Sequence, residues 1–175
     1  MIVLIAFQTK CNSQVPYDYV LCENVRIYKG GSENYLTTCS INEKNIKQAF
    51  GMPDTIIIVN NLPPKYEKVC FGSDLFSISF PDVSWADFAI RTEKFRLIVK
   101  DSIEIKVGTS IERVLRFFPK SALNQKQSEN GDKYLLLYLN DKSELEDIKM
   151  STSRLKISYR TSNKKIVLIE KIDLD

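Results

Sequence analysis

Trp85-Ala-Asp-Phe-Ala-Ile90 returns sixty positions on as Leu145-Glu-Asp-Ile-Lys-Met150, and Phe95-Arg-Leu97 returns as Leu155-Lys-Ile157. Leu75 to Phe80 matches Leu135 to Asn140 in the same way. Apolar and polar positions alternate in Phe76/Ile78/Phe80 and in Leu155/Ile157/Tyr159, which is the period of a strand with one buried face. Upstream of each set stands a helix-start signature: Ser40-Ile-Asn-Glu43 before Ile46, Ala49 and Phe50, and Thr109-Ser-Ile-Glu112 before Val114, Leu115 and Phe118. In such a box the hydroxyl accepts from a backbone N–H while the glutamate reaches back to the cap residue, so helices are predicted to start at these points. Gly51 and Pro53 are predicted to end the first helix and Pro119 the second.

Each half then reads as helix followed by three strands, with Ile166-Val-Leu-Ile169 and Ile172 carrying the last strand. The expected fold class is α+β, a tandem repeat of a short helix plus an antiparallel sheet, preceded by an N-terminal β-hairpin. The expected organisation is a signal-like or lipoprotein-like segment at 1–14, an N-terminal half at 15–100 (hairpin plus first repeat) and a C-terminal half at 101–175 (second repeat).

Gly108-Thr-Ser-Ile-Glu-Arg-Val-Leu-Arg-Phe-Phe-Pro119 resembles the G-T-x-x-x-V-x-x-x-F-P opening of tandem helix-plus-sheet modules in small bacterial envelope proteins, and Phe50-Gly-Met-Pro53 resembles their F-G-x-P helix ending. The nearest named group is the β-lactamase-inhibitor-protein-like fold, including outer-membrane assembly lipoproteins of the SmpA type. The chain also resembles small Bacteroidetes lipoproteins, some of them similar to immunity proteins. The resemblance spans residues 36 to 172 in outline and implies a binding module with no catalytic residue.

Between Tyr19 and Cys39 two β-rich runs flank Lys29-Gly-Gly-Ser32. A two-residue primed turn at Gly30-Gly31 pairs residues whose numbers sum to 61, setting Val25 against Leu36, Arg26 against Tyr35 and Cys22 against Cys39. The last pair falls at a non-hydrogen-bonded position, where Cα atoms approach to about 4.5 Å, a separation a disulfide accepts. A Cys22–Cys39 disulfide is expected; the alternative is two free thiols packed in the sheet. Cysteines at 11, 22, 39 and 70 show no C-x-x-C spacing, so no zinc site is expected.

With 43% apolar and 27% charged residues, 175 positions suffice for one sizeable core. The net charge of +3 is spread along the chain, with no basic block of the kind nucleic acid or anionic membrane selects. Histidine is absent, which removes the commonest general base and zinc ligand. No phosphate-cradling glycine loop or G-x-S-x-G elbow occurs, and no cofactor is expected. Asp87 and Asp147 fall at the same interruption of the repeat and read as a turn or bulge, with a pair of catalytic carboxylates as the alternative. The acidic cluster Asp141, Glu144, Glu146 and Asp147 lacks the glycine and ligand spacing of a calcium loop. Trp85, matched by Leu145, reads as a core residue, with a binding anchor as the alternative.

The start, Met1-Ile-Val-Leu-Ile-Ala-Phe7, is an apolar run of signal-core length without a basic segment before it. Phe7-Gln-Thr-Lys-Cys-Asn-Ser-Gln14 resembles the end of lipoprotein signal peptides in Bacteroidetes and Flavobacteria, departing from the usual pattern at Lys10. Export to the periplasm or outer membrane, with Cys11 as the lipidated residue, is the expectation; the alternative is a cytoplasmic protein with a buried first strand, Ile2 to Phe7.

Three function classes follow. The first is a non-catalytic exported module that binds another protein and meets a membrane only through a lipid anchor. The second is an immunity or inhibitor protein directed at one toxin or enzyme, and the third a carboxylate-dependent hydrolase. The partner site follows from comparing the halves: Ser40 to Phe76 takes 36 positions and Thr109 to Leu136 takes 27, an excess of nine. The extra residues fall within Thr55 to Tyr66, where Ile56 to Val59 reads as an added strand. The following loop, with Asn60, Asn61, Leu62, Lys65 and Tyr66, is the candidate partner-binding surface; a plain hairpin loop is the alternative.

Overall fold

Short runs rich in β-branched and aromatic residues, broken by glycine and polar clusters, dominate the chain and form strands wherever one face can be buried. The computed structural model describes residues 17–60, 65–80, 86–140 and 153–173. In chain order the elements are β1 (Tyr19–Leu21), β2 (Val25–Lys29), β3 (Tyr35–Thr37), α1 (Glu43–Phe50), β4 (Thr55–Val59), β5 (Lys65–Phe71), β6 (Asp74–Phe80) and β7 (Ala86–Ile90). They continue with β8 (Phe95–Val99), β9 (Ile103–Lys106), α2 (Glu112–Phe117), α3 (Pro119–Leu123), β10 (Lys126–Gln127), β11 (Lys133–Asn140), β12 (Ser153–Tyr159) and β13 (Ile166–Asp173).

These strands build two sheets. The large one runs β1-β11-β12-β13-β7-β6-β5-β4, with β10 also on β11; the small one runs β3-β2-β8-β9. The β1–β11 pair is parallel and the large sheet is therefore mixed. The expected tandem helix-plus-sheet repeat is not what the chain forms. Phe95 and Leu97 lie in β8 of the small sheet, whereas Leu155 and Ile157, their counterparts sixty positions on, lie in β12 of the large one. The fold is mostly β, and β13 joins the β11–β12 strands to the β4–β7 strands in one sheet by pairing Ile169 with Ile90 and Lys171 with Phe88. A period of two fixes which face of a strand is apolar and leaves its neighbour open, so similar patterns reach different sheets. The turn between residues 100 and 101, read as the boundary of the halves, connects β8 to β9 within one hairpin.

The inner faces of both sheets and α1 share one core. Phe50 of α1 lies 5.1 Å, ring to ring, from Phe95 of the small sheet and 5.5 Å from Phe76 of the large one. Lys29 closes the C-terminal end of α1, its Nζ donating to the Phe50 carbonyl at 2.7 Å while passing 4.4 Å over the Phe71 ring. A cation at a helix C-terminus is favoured by the backbone dipole, and the ring adds a cation–π contact.

Both helix starts differ from the capping-box expectation. At α1 the cap is Asn42, whose Oδ1 accepts from Asn45 N at 2.9 Å; the Ser40 hydroxyl is held by Thr37 at 2.7 Å and Glu43 pairs with Lys47. α2 follows Ile111 without a side-chain cap, and the Thr109 hydroxyl donates to the Lys106 carbonyl. Pro119 begins α3 as its first residue, where its missing N–H costs nothing. The Gly108-Thr109 pair instead ties this corner to β13, through Gly108 N to Ile166 O at 2.8 Å and Ile166 N to Thr109 O at 2.9 Å. Gly108 has φ of 85°, a left-handed conformation that favours glycine.

The N-terminal hairpin forms in a different register. Arg26 faces Thr37, Ile27 faces Leu36 and Tyr28 faces Tyr35, two places further along than a two-residue turn dictates. Of the two glycines only Gly30 has positive φ (57°), and its N–H donates to Lys94 O at 2.7 Å. The turn is thus anchored to the β7–β8 connection and the loop lengthens. Cys22 opens a 3-10 turn (Cys22–Asn24) outside the ladder and is buried, while Cys39 is exposed; both are free thiols, as is Cys70. Thr38 occupies the place expected for Cys39, its hydroxyl donating to the Cys22 carbonyl at 2.8 Å. Thiol labelling of the folded protein is expected to modify Cys39 first and Cys22 only on unfolding. Denaturing titration under non-reducing conditions should find the 22, 39 and 70 thiols free, and a 22–39 cross-linked peptide in a digest would contradict this register. Among the described residues no helix is long and apolar enough to cross a membrane.

Candidate functional site

Past the helix end at Gly51 and Pro53, Thr55-Ile-Ile-Ile-Val59 has five β-branched residues in succession, which favour extended backbone over any turn. β4 pairs antiparallel with β5, from Thr55 opposite Cys70 to Val59 opposite Tyr66, and among the described residues it is the last strand on that side of the large sheet. Its N-terminal end is held by Asp54, which donates its backbone N–H to Cys70 O at 2.9 Å and accepts from Gly72 N at Oδ2, 2.6 Å. The alternation sets Ile57 on one face beside Lys68, and Ile56 and Ile58 on the other, beside Val69 and Glu67. All three isoleucines are exposed, at 38% for Ile56, 47% for Ile57 and 61% for Ile58. The outer rim of such a strand also presents backbone N–H and C=O groups that no other described strand pairs.

The residues predicted as a binding loop divide around this edge. Asn60 follows β4 directly and is exposed; Asn61 and Leu62 lie outside the described residues. Lys65 and Tyr66 belong to β5 rather than to a loop, Tyr66 half-buried opposite Val59, with Lys68 Nζ 5.5 Å over its ring. Cys11, Trp85 and Asp147 also lie outside the described residues; Asp87, expected at a turn or bulge, sits within β7 opposite Ser77. Sequence reasoning missed the exposed isoleucines themselves. An uncharged β-branched run ordinarily signals a strand buried on both faces, and the clue to the contrary was its position in an insertion.

Two further surfaces are shaped enough to describe. A groove of about 380 Å³ between β3 and α1 is lined by Glu33, Asn34, Tyr35, Ser40, Asn45 and Gln48. On the outer face of the small sheet Arg26 lies 5.1 Å over the Tyr35 ring and Arg96 5.2 Å over that of Tyr28. A hydrogen bond with Tyr28 and the nearby Asp101 carboxylate, 2.8 Å from Arg26 Nη1, raise the Arg26 guanidinium above its ordinary pKa. Both arginines are already engaged, since Arg96 reaches Glu104 at 3.4 Å. In the interior, burial raises the Tyr159 hydroxyl above the usual 10 for tyrosine, and it donates to Gln125 Oε1. Among the described residues no three potential ligands converge as a metal site.

No family model matches the chain, and no curated protein matches it. Among solved structures the chain is similar to an extracellular protein containing a SCP domain from Bacillus anthracis str. Ames, with 12% identity and a TM-score of 0.41. The match covers 75% of this chain and 43% of that one, so the chain spans less than half of that protein's length.

Proposed function

We propose that this protein is a non-catalytic, exported module that docks a strand of another polypeptide chain along β4. The observation that carries this reading is the run of three exposed isoleucines on an open sheet edge. Strand addition supplies main-chain hydrogen bonds for affinity and side-chain contacts on alternate faces for selectivity, and both kinds of group are available there. Natural proteins blunt open edges with lysine, proline or a bulge, and Thr55–Val59 carries none of these within the strand. Asn60, Lys65 and Tyr66 border the same hairpin and supply the polar rim around an apolar centre. The apolar start and the Cys11 context support export and place the partner in the cell envelope. A chain without histidine, whose carboxylates at 87 and 147 sit at matching breaks of a sequence pattern, supports binding over hydrolysis.

A photo-crosslinking amino acid substituted at Ile57 in the native host tests this. Protein adducts are expected in the envelope fraction at Ile57 and not at the exposed control position Glu129. Adducts at neither position, or equally at both, would overturn the reading.

A further inference from the structure

Among the described residues five strands end the two sheets, and they differ in kind; β10 is only two residues long. β1 and β3 are three residues long, and β9 carries Glu104 and Lys106. β4 alone among these described edges combines five residues, no charge and exposed aliphatic side chains.

We propose that the strand docking on β4 is the β4 of a second copy, forming a two-fold antiparallel dimer centred on Ile57. The proposal rests on the reading of β4 as a docking edge and adds the identity of its occupant. The sequence Thr-Ile-Ile-Ile-Val is complementary to itself about its middle residue. Ile57 meets its own equivalent, Ile56 meets Ile58 of the other copy, and Thr55 meets Val59. Paired side chains in an antiparallel ladder share a face, so each isoleucine gains an isoleucine neighbour. On the face carrying Val69, the less exposed Ile56 receives the more exposed Ile58, extending the row Val69–Ile56 by one aliphatic residue. The charges that flank the strand, Glu67 and Lys68, belong to β5 and stay one strand removed from the junction, so no like charges come face to face. A partner strand of unrelated sequence would have to match three isoleucines on two faces; the chain's own strand already does. Because the contact uses the same edge on both copies, it closes as a dimer and leaves no repeat of itself to propagate a fibre.

The test uses the full chain in a background with Cys11, Cys39 and Cys70 changed to serine, which leaves the buried Cys22 as the one native thiol beside the engineered ones. Sedimentation is expected to give a dimer, and Ile57→Lys a monomer that circular dichroism shows to be folded, with the dimer dissociation constant raised at least ~30-fold. Paired Cα atoms in an antiparallel ladder stand about 4.5–5.5 Å apart, within disulfide reach. Ile57→Cys should therefore cross-link spontaneously into a covalent dimer, while Ile56→Cys and Ile58→Cys alone should not, and the two combined should. A monomer at ~100 μM, far above the micromolar dissociation constants of ordinary specific complexes, would overturn the proposal, as would cross-linking of Ile56→Cys or Ile58→Cys alone to the level of Ile57→Cys. A monomer that still yields adducts with a different protein at Ile57 would leave the docking edge standing and remove only the second copy as its occupant. A monomer without adducts would remove both.

Discussion

Replacing Asp74 with alanine is expected to cost about 3–5 kcal/mol of folding stability, more than any surface carboxylate in the chain could. Asp74 opens β6 and is fully buried. Its Oδ1 accepts from the backbone N–H groups of Arg91 at 2.7 Å and Thr92 at 2.9 Å, and its Oδ2 accepts from the Thr92 hydroxyl. The same hydroxyl oxygen accepts from Lys94 N at 3.1 Å. One carboxylate thus fastens the β5–β6 turn to the connection that carries the chain from the large sheet into the small one. Hydrogen bonds to an ionised group are worth about 1.5–3 kcal/mol each, and alanine would take from the Arg91 and Thr92 N–H groups and the Thr92 hydroxyl the one buried carboxylate that joins them. Asp74→Asn keeps an acceptor oxygen for the two N–H groups and should lose about half as much. Urea unfolding measures both: the midpoint should fall with an unchanged slope. A loss under ~1 kcal/mol for the alanine variant would show that the turn is held by something else.

The strands themselves were legible. Alternation marked β6 and β12, because a half-buried strand must place apolar residues at every second position, while the match of 135–140 to 75–80 marked β11 and the Ile166 run marked β13. Their partners were not legible, since pairing depends on how several strands share one core and a local pattern carries no record of that. The hairpin at Gly30 shows the same limit at short range: a two-residue turn fits the glycines, but Lys94 O competes for the Gly30 N–H and lengthens the loop. At α1 the capping signature was real but over-supplied. Asn42 sits beside Ser40 and caps better once Thr37 has taken the serine hydroxyl.

For the candidate site, the excess length of residues 55–66 over the matching stretch of the second half was the legible signal. The repeat behind that comparison is not one of structure, yet the excess is a true property of the chain and contains β4. What the residues could not disclose was exposure. Isoleucines in a row look buried, and only the sheet order, which puts β4 at an end, turns them outward. The proposed function rests on that one inversion, which is why both experiments on β4 act at Ile57.

Phe95→Ala is expected to cost about 3–5 kcal/mol and to leave unfolding as one transition. Phe95 is fully buried in the small sheet, but its ring stands 5.6 Å from Phe71 and 5.6 Å from Phe76 of the large sheet and 5.1 Å from Phe50 of α1. Three of its aromatic neighbours therefore belong to other layers. Truncation removes the ring's transfer free energy and leaves a void bounded by four separate backbones, which cannot all collapse into it. Because the void lies where both sheets and the helix meet, the loss is shared rather than confined to the small sheet. Coincident urea transitions by tryptophan fluorescence and far-UV circular dichroism, both moved to lower midpoint, are the expected result. A cycle with Phe71→Ala should reveal a coupling of about 0.5–1.5 kcal/mol, the size of an edge-to-face aromatic pair. Two separated transitions in Phe95→Ala would mean that the sheets fold as independent modules, the arrangement a tandem repeat requires and a shared phenylalanine core forbids.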